Sequence, residues 1–414
     1  MTNNPTRTEA VPGEPLGRAR ERLELPPLTY LEEGDEVTVG RPDRDEYIVL
    51  PADAAALLRR LGEGASIQEA ADWYVWTYGE AIDVESFVDD LGALGFTKRP
   101  GKTITGPVRW QRLGTWLFSP ISAACYLLLV TSWLVVGVRT PRLLPQPQNL
   151  FFVHYISLTV ATLFITQLPL VLLHEMAHAL AARRLGLRSR LSIGRRLYFV
   201  VFQTTMNGLV SVPRSKRYLP ILAGMLTDVG VIASLSLAAD ILRQGDGTFG
   251  LAARYCLAVA YLTALRVLWQ LWFFLQTDIY YLVVTVCGCI DLQSAARQTL
   301  RNRLNRLLGK PPKYDPSAWS TRDASVAKWY SWLILAGYTG CFVSLIFTVL
   351  PAVNRIAIHV FQGLAQSGHR DAASTVDSAV FLGLIVMELA ISTTLYLRER
   401  RNRQAFGDAR PNPA

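Results

Sequence analysis

The chain is poor in the residues that hold small secreted domains together. Its five cysteines, Cys125, Cys256, Cys287, Cys289 and Cys341, are odd in number and lie in or beside apolar runs, so no disulfide framework is indicated. Cys287-Gly288-Cys289 has the spacing of neither a zinc knuckle nor a C-x-x-C redox pair and reads as packing. Charge is scarce as well. Only 18% of residues are charged while 50% are hydrophobic, which points to a membrane protein with a soluble portion. The net charge of +9 comes without a stripe of Arg or Lys interleaved with aromatics, which argues against a nucleic-acid partner. The polar stretch from Met1 to Arg22 has no apolar core and does not read as a signal peptide.

What the chain does have is long apolar runs separated by basic segments. The runs fall at about Trp116 to Val138, Leu150 to the region of Leu180, Tyr218 to Ile241, Leu251 to Cys289, Trp329 to Leu350 and Val376 to Leu397. Each can cross ~30 Å of hydrocarbon, and the Leu251 run reads as one crossing broken around Gln276-Thr277-Asp278. Between them lie basic loops, one carrying Arg183, Arg184, Arg188, Arg190, Arg195, Arg196, Arg214, Lys216 and Arg217. Counting positive charge inside, about six crossings place these loops and both termini in the cytoplasm, with the chain in the plasma membrane and the bilayer as its surroundings. Leu197–Phe202 and Gly208–Val212 read as strands within the first of these loops.

The expected organisation follows from these breaks. Residues 1–26 are Pro-, Glu- and Arg-rich and expected to be disordered. Residues 27–100 form a small soluble α+β domain. Strands are expected at Glu36–Val39 and Tyr47–Leu50, then helices from Pro51 to Leu61, Ile67 to Tyr78 and Val84 to Leu94, with a closing strand at Phe96–Lys98. Ser66 and Glu69 are placed as a capping box and Asp83 as an N-cap. A hairpin with three short helices is winged-helix-like. Its helices carry Glu69, Asp72, Glu80, Asp83, Glu85, Asp89 and Asp90, which repel phosphate, so a peptide at a free strand edge suits them better than DNA. Residues 113–290 form the membrane core, 291–328 a basic cytoplasmic segment, 329–397 two further transmembrane helices and 398–414 a basic tail. The fold class is thus a mainly α multi-pass membrane protein with a small α+β domain in front.

One stretch carries chemistry. Leu173-His174-Glu175-Met176-Ala177-His178 is H-E-x-x-H at the end of an apolar span. Two imidazoles at i and i+4 share a helix face and can reach one Zn²⁺, while Glu175 sits beside the metal where it can take a proton from bound water. Burying three such groups without a metal or partner is costly, which favours ligation over packing. Pro169, five residues earlier, is expected to kink or loosen that helix. A catalytic zinc takes three protein ligands. His154, His359 and His369 are placed too far away, which leaves the intramembrane carboxylates Asp278 and Asp228 as candidates for the third. Asp278 falls about 27 residues into a segment entering from outside, level with the histidines; Asp228, ~15 Å into its span, matches less well.

Two resemblances follow from these residues. Tyr47-Ile48-Val49-Leu50-Pro51, Ala54–Leu58, Gly62–Ala70 and Leu91–Phe96 resemble PqqD-like domains, which hold leader peptides of ribosomally made, modified peptides. His174-Glu175-Met176-Ala177-His178-Ala179, Leu180–Gly186, Leu222-Ala223-Gly224 and Asp278-Ile279-Tyr280-Tyr281 resemble the site-2 protease family, in particular the putative peptide zinc metalloproteases that carry a PqqD-like domain. The likeness runs from Leu28 to about Leu308. Ile279 stands where the family has Gly, Met225 where it has Pro, and the Pro-rich lead-in to the ligand Asp is absent. The resemblance implies zinc on His174, His178 and Asp278, Glu175 as general base, and a precursor or leader peptide as substrate, with peptide-modifying enzymes or an exporter as partners. The rival reading is a non-proteolytic membrane module for peptide binding, export or immunity with a vestigial zinc site. A zinc transporter fits less well, because no chain of His and carboxylates lines several spans.

Overall fold

In the computed structural model the described residues are 22–34, 36–41, 46–97, 108–153, 155–196, 199–206, 208–316 and 319–351, with scattered positions between 354 and 397. The expected disordered start up to residue 21, the basic tail, His154, His359 and His369, and most of the sixth expected span fall outside them. The chain is mainly helical and divides into two compact units.

The first unit comprises residues 1–107 together with Asn207–Ser215. It opens with three antiparallel strands, β1 (Thr29–Glu33), β2 (Glu36–Arg41) and β3 (Glu46–Pro51), in that spatial order. β1 is additional to the two strands expected from the sequence. Glu33 pairs with Glu36 on either side of Gly34-Asp35, and Gly34 takes φ +72°, the left-handed backbone a two-residue hairpin turn needs. Three helices follow, α1 (Ala52–Gly62), α2 (Ile67–Tyr78) and α3 (Val84–Ala93). The Ser66–Glu69 capping box is formed, and Asp83 accepts from the Ser86 amide at 3.0 Å. Apolar residues of the sheet and helices close two adjoining clusters. Val37, Val39, Ala55, Leu58, Leu91 and Phe96 make one, and Leu57, Leu61, Ile67, Ala70, Tyr74 and Val84 the other.

No closing strand forms at Phe96–Thr97. The chain instead wraps the end of α3. The Phe96 amide donates to Leu91 O at 2.8 Å and the Gly95 amide to Gly92 O at 3.1 Å, with Gly95 at φ +89°. This helix-ending turn inserts Phe96 beside Leu91 in the core, which a strand would not do. Arg41, fully buried, donates to Gly95 O and ties β2 to the same turn. The Tyr74 hydroxyl donates to Asp53 Oδ2 at 2.5 Å, joining α2 to the first turn of α1. That bond pushes the Tyr74 phenol up to about 12 and lowers the Asp53 carboxyl below its ordinary value. In Asn207–Ser215, a 3-10 turn at Leu209–Ser211 replaces the strand expected at Gly208–Val212. Arg214 in this segment donates from its amide and its Nε to the Glu33 carboxylate at 3.2 and 3.0 Å.

The second unit holds Val108–Met206 and residues from Lys216 on. Its elements are α4 (Gln111–Leu117), α5 (Pro120–Arg139), α6 (Ile156–Arg184), the hairpin β4 (Ser189–Arg196) and β5 (Phe199–Met206), α7 (Arg214–Ile241, whose first two residues fall in the other unit), α8 (Leu251–Trp269), α9 (Asp278–Cys287), α10 (Leu292–Leu307) and α11 (Thr321–Ser344). Five of the described helices are long and apolar enough to cross a membrane, namely α5, α6, α7, α8 and α11 with its short π-helical extension to Phe347. Such helices mark the chain as membrane-associated.

Two expectations change here. The hairpin lies earlier than expected, with Ser189 paired to Met206 and Arg196 to Phe199, so the basic residues of β4 are strand residues. The Leu251–Cys289 stretch is not one broken crossing. α8 alone has spanning length, and it is α9 and α10, bent by 89°, that pass as a pair. The expected loop over 291–328 accordingly contains α10 and the start of α11, whose Ala295, Ala296, Ala327 and Tyr330 share a core cluster. α6 continues through Pro169. It also passes close to α4, where a Cβ on Gly114 would collide with the Leu180 carbonyl.

Candidate metal centre

The helices that carry the H-E-x-x-H residues and the two candidate carboxylates converge. α6 supplies His174, Glu175 and His178, all buried at 8% exposure or less. α9 begins with Asp278, whose amide donates to Gln270 Oε1 at 3.0 Å while Thr277 donates its hydroxyl to Gln270 O at 2.6 Å. These two bonds fold the α8–α9 connection so that the acid enters at the first residue of its helix.

His174 Nε2, His178 Nε2 and Asp278 Oδ2 form a triangle with every side 3.2 Å. The opposite ring nitrogens are occupied. His174 Nδ1 lies 2.9 Å from Asp228 Oδ2, and His178 Nδ1 lies 2.7 Å from the Pro220 carbonyl oxygen. Both partners are acceptors, so both Nδ1 atoms donate. In neutral imidazoles the two Nε2 atoms then carry lone pairs, and those lone pairs face each other and a carboxylate oxygen. Three electron-rich atoms at this spacing repel one another unless a cation lies between them. For a tetrahedral metal with ligands ~2.0–2.1 Å away, ligand atoms sit ~3.3–3.4 Å apart, close to the triangle found.

The space next to the triangle is kept open by Gly224 of α7. A Cβ built there would lie 2.5 Å from His174 Nε2 and 2.6 Å from His174 Cε1, and closer still to His178 Nε2. Among the described residues, His174, His178 and Asp278 are the group of His, Cys, Asp or Glu that could hold a metal ion. The donor set, two imidazoles and one carboxylate, leaves a fourth tetrahedral position for water or substrate.

Asp228 is brought to the centre in another role. It is fully buried and holds the outer nitrogen of His174; Arg266 of α8 in turn donates to it from Nε and Nη2, at 3.0 and 2.5 Å. Of the two acids, Asp278 is the one in the group that could hold a metal, and Asp228 instead holds the outer nitrogen of one of its histidines, as the carboxylate behind a metal-binding imidazole does. Glu175 lies beside His174 on α6. Its backbone carbonyl accepts the Thr204 hydroxyl of β5 at 2.9 Å, and its carboxylate makes no hydrogen bond to another described residue. The cysteines stay free and outside the ligand group.

The sequence offers Asp228 only as an alternative ligand and Gly224 only as part of a matched motif, and it gives Arg266 and Gln167 no place in the site. An Arg inside an apolar helix was the available signal, since such a charge persists in a span only when paired. Compared with known proteins, the chain matches no family model, no curated protein and no solved structure. The likeness to site-2 proteases and PqqD-like domains therefore rests on the residues quoted above.

Proposed function

We propose that this chain is a membrane-embedded zinc metalloprotease of the site-2 type that cleaves a peptide or membrane-associated substrate. The observation that carries the reading is the triangle of lone-pair-bearing atoms on His174, His178 and Asp278, with each imidazole fixed from behind. Two imidazoles and a carboxylate are a ligand set of catalytic zinc sites, and an open fourth position belongs to a catalytic rather than a structural ion.

His174, His178 and Asp278 would hold the zinc ion, which would supply Lewis acidity to activate a water. The chain's own residues do the rest. Glu175, whose carboxylate bonds to no other side chain among the described residues, takes the proton of the attacking water and returns it to the leaving amine. Asp228 and the Pro220 carbonyl keep the two imidazoles in one tautomer. The β4–β5 hairpin, packed beside α6, offers strand edges to an unwound substrate, as peptide hydrolysis within a membrane requires, because a helical backbone hides its carbonyls.

The soluble unit suits a peptide holder. Its sheet has two outer strands, β1 and β3, and its helices carry acidic side chains. Holding a precursor or leader peptide raises its concentration at the membrane centre. Both termini and the basic segments then lie in the cytoplasm of a cell whose plasma membrane holds the helices.

The test is to co-express the full chain, or its Glu175→Ala variant, with candidate precursor peptides and read their masses. Shortening by the native chain and none by the variant is the expected outcome. Intact peptide with both, from a protein that binds zinc, would favour a binding or immunity module.

A further inference from the structure

α8 carries two arginines, Arg254 exposed near its start and Arg266 largely buried near its end, and every donor nitrogen of the Arg266 fork is used. Nε and Nη2 grip the two oxygens of Asp228 at 3.0 and 2.5 Å. Nη1 donates to Gln167 Oε1 at 2.7 Å. Gln167 is itself held by Thr263 Oγ1 at 3.3 Å and Val259 O at 3.4 Å. The chain of contacts thus runs from α8 to α6 and α7 and ends on His174, seven residues beyond Gln167 on the same helix.

A bare helix-packing brace would not need this arrangement. Burying a guanidinium and a carboxylate usually costs as much as their attraction returns, and apolar residues of similar size pack as well or better. What the pair supplies is geometry. The bidentate grip fixes the plane of the Asp228 carboxylate, and that plane fixes the direction in which Oδ2 receives the His174 Nδ1 proton. It also neutralises the acid. An unpaired carboxylate this near a divalent cation would be drawn towards it, in competition with Asp278.

We propose that Arg266 is a positioning residue for the metal centre: by clamping Asp228 it sets the orientation of His174 and keeps Asp228 as a partner of that ligand rather than a ligand itself. The inference rests on the metalloprotease reading only in taking the triangle as a metal site. It needs no turnover.

The experiment measures zinc affinity of the full-length chain in detergent micelles by competition with a chromophoric chelator, alongside thermal unfolding. The variants are Arg266→Gln, Arg266→Lys, Asp228→Asn and the double Asp228→Asn/Arg266→Gln. Loss of a group that orients a ligand typically weakens metal binding about 10–100-fold, and that is the expectation for Arg266→Gln and Asp228→Asn. Arg266→Lys keeps the charge without the fork and should recover part of the affinity. The double variant should bind no more weakly than Asp228→Asn, because Arg266 acts through Asp228.

Unchanged affinity in Arg266→Gln with a lowered melting temperature would overturn the proposal, as would multiplicative losses in the double variant. Should Arg266→Gln fail to fold, unchanged affinity in Arg266→Lys, or a further loss in the double beyond Asp228→Asn, overturns it equally. A native chain that binds no zinc would instead sink the metal centre itself.

Discussion

Replacing Gly224 by Ala adds one methyl group to α7, at the point where the two imidazoles meet. The new carbon would sit 2.5 Å from His174 Nε2, far inside the ~3.5–4.0 Å at which nonbonded heavy atoms rest. A metal ion bound to the same atoms would lie ~2.0–2.1 Å from them, so methyl and metal compete for one volume. The rings cannot swing aside cheaply, because His174 is tied to Asp228 and His178 to the Pro220 carbonyl. Overpacking of this kind costs about 1–3 kcal/mol. Borne by the metal-bound state, that is a loss of about 5- to 150-fold in zinc affinity at ~1.4 kcal/mol per factor of ten. Intrinsic helix propensity works the other way, since Ala is favoured over Gly by about 1 kcal/mol, so metal loss should come without unfolding. Gly230→Ala is the control on the same helix, where the nearest atom to the added carbon is Tyr126 Cε2 at 3.4 Å. The assay is metal content and zinc competition on the purified full-length chain. Full zinc occupancy and unchanged affinity in Gly224→Ala would refute the placement of the ion beside this glycine.

Further outcomes are expected. Glu175→Gln should keep the bound zinc while cutting turnover by about 10²–10⁴-fold, the usual worth of a general base, as read from peptide mass against metal content. Asp278→Ala should lose zinc outright, while Asp228→Ala should weaken it and leave a measurable site, a ranking that isothermal titration can check. Tyr74→Phe removes a hydrogen bond to a partly solvent-screened carboxylate and should cost the N-terminal unit about 1 kcal/mol, read by thermal unfolding of the full chain. Because the folded-state pKa of Tyr74 is raised from 10.0 to about 12, its contribution is complete below pH 10 and lost as pH rises towards 12. An alkaline stability profile of the native chain should therefore fall in that window more than that of Tyr74→Phe.

The histidine pair was legible because helical spacing is rigid. Residues at i and i+4 meet on one face whatever surrounds them, and His174 and His178 do so here. Asp278 could be matched to them by depth, which needs only a rise per residue and a direction of travel. The roles of Asp228 and Gly224 could not be read that way. Whether an acid ligates a metal or holds a ligand depends on which atom it reaches, and a difference of a few ångströms decides it. The same limit hid Arg266 and Gln167, whose contacts join residues about a hundred positions apart.

In the N-terminal unit the caps at Ser66 and Asp83 were readable because they are local bonds. The strand Thr29–Glu33 was missed although Gly34-Asp35 marks the turn, since its acidic end hides the alternation of a half-buried strand. Phe96 misled in the opposite sense. An aromatic after a glycine suggests a strand, but the left-handed Gly95 turns it into the core instead. The basic hairpin slipped for a related reason. Its first strand sets only Leu191 and Ile193 among Arg190, Ser192, Gly194 and Arg195, and both apolar side chains are exposed, so neither burial nor run length announced it.

The central claim is a metal held by two imidazoles and one carboxylate. A zinc X-ray absorption spectrum of the purified full-length chain tests it most directly. The account predicts one zinc per chain, with a nitrogen and oxygen shell at ~2.0–2.1 Å, two imidazole signatures and no sulfur. It also predicts that one imidazole signature vanishes, or the zinc with it, in His178→Ala. A sulfur shell at ~2.3 Å, or an unaltered spectrum in that variant, would contradict it.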